Sequence, residues 1–452
     1  SSARASMGVC ARCCCLLFVS LLCVSLAVLG IRSRIAPRRF VKDACANERH
    51  PGARVLDGFP FICGWQQLRP AGFGGSTFVP HAFIQPNGSW CWSNAGFLSS
   101  GLLVDTLTDP VLTAEMLSGL KDEVKALLFT HPDVDHISGN QAVPAGVPRL
   151  GTRAAQQEVT AQQQSGMIGN LVLAMSLGHF IWETAQLVGL AELFNLVPTA
   201  LQGLTVKVLG WARSQMFMAH FNFEAVEVDR LPIFSEFLES GSSIIVAGEA
   251  LAARFRHFGP VHSKSDSVLI LPDAKVVYTG DLLFIGIAPV MWSGPAKAWL
   301  AALDGLLEET GPDWLFVPGH GPVTDVEGLR GVRRYFEYLD EAVTETCADL
   351  AVEDAALDEV CAERVLEAMP ALLLELFQEP QRIMICAAIE RMARRAGGPA
   401  KVELKHKIKY LTKMGEYEVR QAPKGLPAPP VWDVLSRGTR GFRTCMSVRM
   451  ED

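Results

Sequence analysis

The chain has 452 residues, 49% of them hydrophobic, and a formal net charge of −7. That length and apolar content suit two or three domains with a sizeable core and exclude a largely disordered chain. With an acidic balance and no long Lys/Arg run beyond the N-terminus, the chain lacks the electrostatic footprint of a nucleic-acid binder, and no nucleic-acid partner is expected.

In chain order, the first feature is Cys13 to Ile31, a stretch without a charge preceded by Arg12 and followed by Arg32, Arg34, Arg38 and Arg39. Length and flanks predict a signal or anchor segment over residues 1–44, leaving the protein membrane-anchored or targeted to the secretory route or an organelle. Small residues at Ser25-Leu26-Ala27 keep cleavage open, and the Arg-rich, acid-free run from Ile31 to Lys42 keeps a two-part organelle address open. Met7 is a candidate initiator. Five of the twelve cysteines lie in or beside this segment and the rest are scattered without CxxC pairs, so neither a disulfide scaffold nor a thiolate zinc site is predicted.

Cys45 to about Gln85 mixes Gly, Pro and aromatic residues and predicts an extended lead-in; Asn87-Gly88-Ser89 is a glycosylation sequon. Ser93 to Leu98 and Gly101 to Thr106 are short apolar runs bounded by small polar residues, the pattern of successive buried strands. Thr113 to Val124 has apolar residues at helical spacing. It returns the chain to the run Ala126 to Phe129, after which comes Thr130-His131-Pro132-Asp133-Val134-Asp135-His136. Imidazoles and carboxylates in one turn after a strand can share divalent metal ions. Strand, helix, strand and ligand-rich turn make an α/β layout.

Arg153 to Gln164 predicts a polar helix. It opens a helical insertion at about 154–210, whose apolar part from Met167 to Val197 reads as a buried or lid-forming hairpin, with membrane-surface contact as the alternative. From Ser242 strands return, and three of them end in Gly-containing loops carrying His262, Asp281 and His320. Helices follow from Arg330: Val332 to Val343, Ala351 to Met369, Ala371 to Phe377 and Pro380 to Arg395. They form a C-terminal extension over 336–398, with a Lys-containing peripheral tail over 399–452.

The order His-x-Asp-x-Asp-His, an isolated His before Ser-x-Ser-Asp, Thr-Gly-Asp-Leu-Leu-Phe, and Pro-Gly-His-Gly-Pro resembles the metallo-β-lactamase-fold hydrolases across roughly residues 90 to 335. Asn140-Gln141 and Glu379-Pro380-Gln381-Arg382 resemble a bacterial-type branch of metal-dependent hydrolases and cyclase-like proteins. The resemblance implies a four-layer αββα sandwich over 45–335. It also implies that His131, Asp133 and His262 hold a first metal, that Asp135, His136 and His320 hold a second, and that Asp281 bridges them. Asp133 stands where the family's usual pattern has a histidine.

One or two zinc ions are expected, with iron or manganese as alternatives because carboxylate is a harder donor than imidazole. By the same resemblance the chain is a hydrolase that uses a metal-bound hydroxide, oriented by Asp135, on an ester, thioester or lactone. The substrate is a small molecule with an apolar portion. The alternatives are an iron-dependent oxidoreductase or dioxygenase and a non-catalytic metal-binding scaffold. Asp105 and Asp266 are candidate acceptors for the outward nitrogens of ligand histidines.

Overall fold

The computed structural model describes residues 64–70, 78–85, 93–165, 230–351, 353–377 and 380–403, with short pieces at 177–178, 181, 208–209, 212, 225–227, 406–407, 409–410 and 413–414. Residues 1–44, the sequon and most of the 167–197 insertion lie outside the described residues. Among the described residues no helix is long and apolar enough to cross a membrane.

Two sheets carry the fold. The first is built in sequence order from β1 (Gly64–Gln67), β2 (Pro80–Ile84), β3 (Ala95–Leu98), β4 (Leu102–Val104), β5 (Ala126–Leu128), β6 (Arg149–Gly151) and β7 (Glu236–Phe237). Pairing is antiparallel from β1 to β4 and parallel from β4 to β7. A small hairpin of β8 (Ile245–Val246) and β9 (Glu249–Ala250) precedes the second sheet: β10 (Arg254–Gly259), β11 (Asp266–Leu271), β12 (Val276–Phe284) and β13 (Leu315–His320). Its last pair, β12 with β13, is parallel.

Strand alternation explains the layering. Leu102, Val104, Leu128 and Leu150 of one sheet share a core with Leu269, Leu271, Val276, Tyr278, Leu315 and Val317 of the other. Their sequence neighbours Leu103, Leu127, Val268, Ile270, Val277 and Phe316 belong instead to a core shared with helices. Because successive strand residues face opposite sides, sheet-on-sheet packing inside and helices outside is what this pattern requires, and the αββα sandwich follows. Tyr278 also ties the sheets by donating from its hydroxyl to His81 O at 2.9 Å.

The outer helices are α1 (Pro110–Leu117), α2 (Val134–Ile137), α3 (Arg153–Ser165), α4 (Ala296–Glu309), α5 (Val326–Thr346), α6 (Asp358–Glu367), α7 (Ala371–Leu376) and α8 (Pro380–Ala396). Helix α1 starts three residues before its expected beginning because Asp109 caps it, accepting from Val111 N and Leu112 N at 2.9 Å, with Pro110 in the first turn. It stops at Ser118, well short of Val124.

The stretch expected to be an extended lead-in supplies β1 and β2. Burial of β2 on both faces, between β1 and β3, removes the alternation that marks a strand in sequence.

Helix α5 runs unbroken across residue 335, and α6 and α8 bury Cys361, Val365, Ile383, Ile385 and Ile389 in the same core as α4. Cys347 and Cys361 form a disulfide, which their separation of 14 residues without a CxxC motif did not signal. Polar contacts also join the extension to the sandwich: Glu390 Oε2 accepts from Ala296 N at 2.6 Å, at the start of α4. The described part of the 399–452 tail packs back too, with Tyr410 and Met414 buried and Lys407 Nζ lying 5.2 Å from the Trp292 ring centroid.

Candidate metal centre

Every ligand-type side chain named from the sequence reaches one place, where the C-terminal ends of strands from both sheets meet. His131, Asp133, Asp135 and His136 occupy the turn after β5 and the first residues of α2; His262 lies between β10 and β11; Asp281 is within β12; and His320 ends β13. His131, Asp135, His136, His262, Asp281 and His320 are buried, whereas the Asp133 side chain is 19% exposed.

Besides a set that Asp105 makes with His131 and His136, the donor atoms fall into two groups, His131 with Asp133 and His262, and Asp135 with His136 and His320, each within 4.8 Å. Asp281 stands between them. Its Oδ2 is 3.3 Å from His262 Nε2, 3.4 Å from His320 Nε2 and 3.7 Å from His131 Nε2, and its Oδ1 is 3.1 Å from His136 Nε2. Asp133 Oδ2 lies 3.0 Å from His262 Nε2, and Asp135 Oδ2 3.3 Å from His320 Nε2.

Two glycines make this approach feasible. A Cβ at Gly319 would collide with Asp281 Oδ1, and Gly280, at φ +50°, leaves room for the Thr130 side chain.

Outward-facing nitrogens are held by the surrounding structure. Asp105 Oδ2 accepts from His136 Nδ1 at 3.0 Å and from Thr130 Oγ1 at 2.6 Å, while its Oδ1 accepts from Thr130 N at 2.8 Å. Thr130 Oγ1 in turn lies 3.1 Å from His131 Nδ1. Asp105 adopts φ 58°, an unusual conformation for a residue with a side chain, and one that costs energy unless surrounding contacts enforce it.

The expectation for Asp266 is corrected. Its carboxylate accepts from Val261 N, Ser263 N and Ser263 Oγ, and so shapes the loop, while His262 Nδ1 donates to the carbonyl of Val290 at 2.6 Å. A backbone acceptor has no sequence signature, so no residue pattern could have pointed to Val290. The ring of Phe284 stacks on His320 with centroids 4.8 Å apart, fixing that imidazole's plane.

Two of the side chains that suggested a narrower branch have structural partners. Asn140 Oδ1 accepts from Arg149 Nε at 2.9 Å, and the fully buried Arg382 guanidinium lies 5.9 Å from the Phe284 ring centroid.

Electrostatics favour positive charge at this site. Burial opposes ionisation of each histidine. At His136 the pull of Asp281, Asp135 and Asp105 outweighs burial and raises the pKa well above the ordinary histidine value. At His262, Asp281 and Asp133 overcome burial and push it up to about 10. His320 is raised in the same way by Asp281 and Asp135, whereas His131, governed by burial and the neighbouring His136, is lowered. Burial would raise the Asp281 pKa, but the four imidazoles hold it far below the carboxylate range. At His136, His262 and His320 the carboxylates therefore retain protons on the nitrogens, positions that a divalent cation takes by displacing them.

The residues fit a metal on a second count. His131 Nε2, His136 Nε2 and Asp281 Oδ1 are buried without a well-directed hydrogen bond, although the last two lie 3.1 Å apart as an ion pair. Such orphaned polar atoms are costly unless something coordinates them.

Asp105→Ala should weaken metal affinity at the Asp135–His136–His320 group by about 10–100-fold, since His136 loses the acceptor that orients it. A zinc titration of the variant tests this; unchanged affinity would mean that Asp105 does not orient a ligand.

A family model described as the metallo-β-lactamase superfamily matches residues 91–146, the stretch containing β3, Asp105 and the His131–His136 turn. Among solved structures, the chain is similar to a metallo-β-lactamase from Pontibacter korlensis at 15% identity, over 60% of this chain and 99% of that one, with a TM-score of 0.36. It is also similar to a β-lactamase domain protein from Burkholderia ambifaria at 16% identity, over 74% and 87%, with a TM-score of 0.40. A third is a double mutant of the sec-alkyl sulfatase PisA1, at 12% identity over 87% and 74%, with a TM-score of 0.42. No curated protein matches the chain.

Proposed function

The chain has the metallo-β-lactamase fold, and from that premise we propose that it is a metal-dependent hydrolase acting on an ester, thioester or lactone. The observation that carries this reading is the pair of His/Asp groups sharing Asp281, with buried imidazole nitrogens turned inward. His131, Asp133 and His262 would hold one metal and Asp135, His136 and His320 the other, with Asp281 common to both. When bound, the metal supplies Lewis acidity and a water acidified towards neutral pH.

The protein's own part is positioning and proton handling. Asp135, held through its backbone carbonyl by Ser93 Oγ, presents its carboxylate to His136 and His320 in the second group. It would accept the proton of the attacking water at a carboxylate oxygen and pass it to the departing alkoxide or thiolate as the acyl bond breaks. Asp105 and Val290 O keep His136 and His262 oriented while this happens.

An apolar portion of the substrate is supported by the uncharged residues that dominate the 167–197 part of the insertion. The apolar segment at 13–31 supports delivery to a membrane or along a secretory or organelle route.

Elemental analysis of the purified chain followed by a panel of esters, thioesters and lactones tests the proposal. Metal uptake with turnover of one class is expected. Iron with oxygen uptake would favour oxidoreductase chemistry, and metal uptake with ligand binding but no turnover would favour a scaffold.

A further inference from the structure

Helix α3 presents Glu158 and Gln162, four residues apart and therefore on one face. Gln162 Nε2 donates to the Pro132 carbonyl at 3.1 Å, between His131 and Asp133. Glu158 Oε1 accepts from Ser265 Oγ at 2.7 Å, and Ser265 is fully buried in the loop that carries His262 and Asp266. One helix face thus touches both loops whose side chains make up the His131–Asp133–His262 group.

Those loops belong to different sheets, so no β-ladder sets their separation. Ser267 N and Oγ donate to Thr130 O at 3.0 and 2.7 Å and join the loops at one point. Helix α3 supplies a second tie, at Pro132 and Ser265.

Glu158 is only half-buried, yet its surroundings are those of a working group rather than a solvated one. Withdrawal from water, with Asp133 and Asp266 nearby, pushes its pKa up to about 7 against the Ser265 hydrogen bond and the positive charge of Lys264. It therefore gains its negative charge close to neutrality, beside the first metal group.

We propose that α3 is the spacer of the first metal group and that Glu158 is a positioning residue, holding the His262 loop through Ser265 while Gln162 holds the His131–Asp133 loop. This rests on the metal-binding reading above. The helix sets the gap between Asp133 and His262, the two ligands that no shared backbone element relates. It also adds charge there as the pH rises: above about pH 7 an ionised Glu158 attracts a cation to the group, and below it a neutral Glu158 still accepts from Ser265.

The test is a titration of the metal-free full chain with zinc alone, at about pH 6 and about pH 8, alongside thermal denaturation. Glu158→Ala and Ser265→Ala should each weaken the first group by about 10-fold or more, leaving the second group and the thermal midpoint unchanged. At the lower pH the double variant should be no weaker than either single one, because both remove the same contact, and at the higher pH it should match Glu158→Ala, which also removes the charge. Glu158→Gln keeps an acceptor for Ser265, so it should match the wild type at the lower pH and gain less affinity than the wild type at the higher.

Additive losses in the double variant, or wild-type affinity in Glu158→Ala, would overturn the proposal while leaving the metal reading intact. A wild-type chain that takes up no zinc would overturn both.

Discussion

Asp281→Ala should empty both metal groups at once and abolish the proposed hydrolysis, a larger effect than any other single substitution in the cluster. Among the described residues, Asp281 is the one side chain whose oxygens lie within 3.7 Å of four imidazole nitrogens, two from each group. The others serve one group each. Its loss also leaves His136, His262 and His320, all biased towards the charged form, facing one another without their shared anion. Removing one partner of a buried charge cluster typically costs about 3–5 kcal/mol. Elemental analysis and chemical denaturation of the metal-free variant read the two effects separately. Full metal content in the purified variant would refute the bridging role.

The side chains that cluster were legible in the sequence because the fold places them where sequence signals are strongest: strand ends, turns and the glycines that let backbone come close. His131 to His136 follows an apolar run, and Gly319 precedes His320 because a side chain there would strike Asp281. Asp105 was readable as an acidic residue ending a strand and as a candidate acceptor for a ligand histidine, though not as the residue that ties His136 to Thr130.

Features that depend on through-space neighbours left no such trace. Val290 serves with its carbonyl, which every residue possesses. Glu158 looks like one more polar residue on an exposed helix until Ser265 arrives from the other sheet. The β2 strand hides because both its faces are covered, and Cys347 with Cys361 becomes a pair only when α5 and α6 fold against each other. Local chemistry and spacing reveal groups that must be near the reaction, whereas the supports behind them are tertiary.

Asp133→His should shift the first group's metal preference towards zinc over manganese by at least tenfold, a change of ~1.4 kcal/mol. Asp133 is the one ligand-type side chain of the cluster that remains partly open to solvent, at 19%, and it caps α2 without a side-chain bond to that helix, so it is free to serve His262 and a cation. Two arguments set the direction. Imidazole is a softer donor than carboxylate and suits zinc, whereas manganese and iron accept oxygen donors readily. Charge adds to this. With three aspartates, two divalent ions and one hydroxide the centre sums to zero, and the histidine variant carries one positive charge more, which acidifies a bound water.

The pH at which hydrolysis reaches its plateau should therefore move down, and the loss of the Asp133–His262 contact should be offset once metal occupies the group. Competition between zinc and manganese, read by elemental analysis on metal-free protein of unchanged thermal midpoint, decides the point. If the preference does not move, Asp133 does not touch the metal, and its role reduces to pairing with His262.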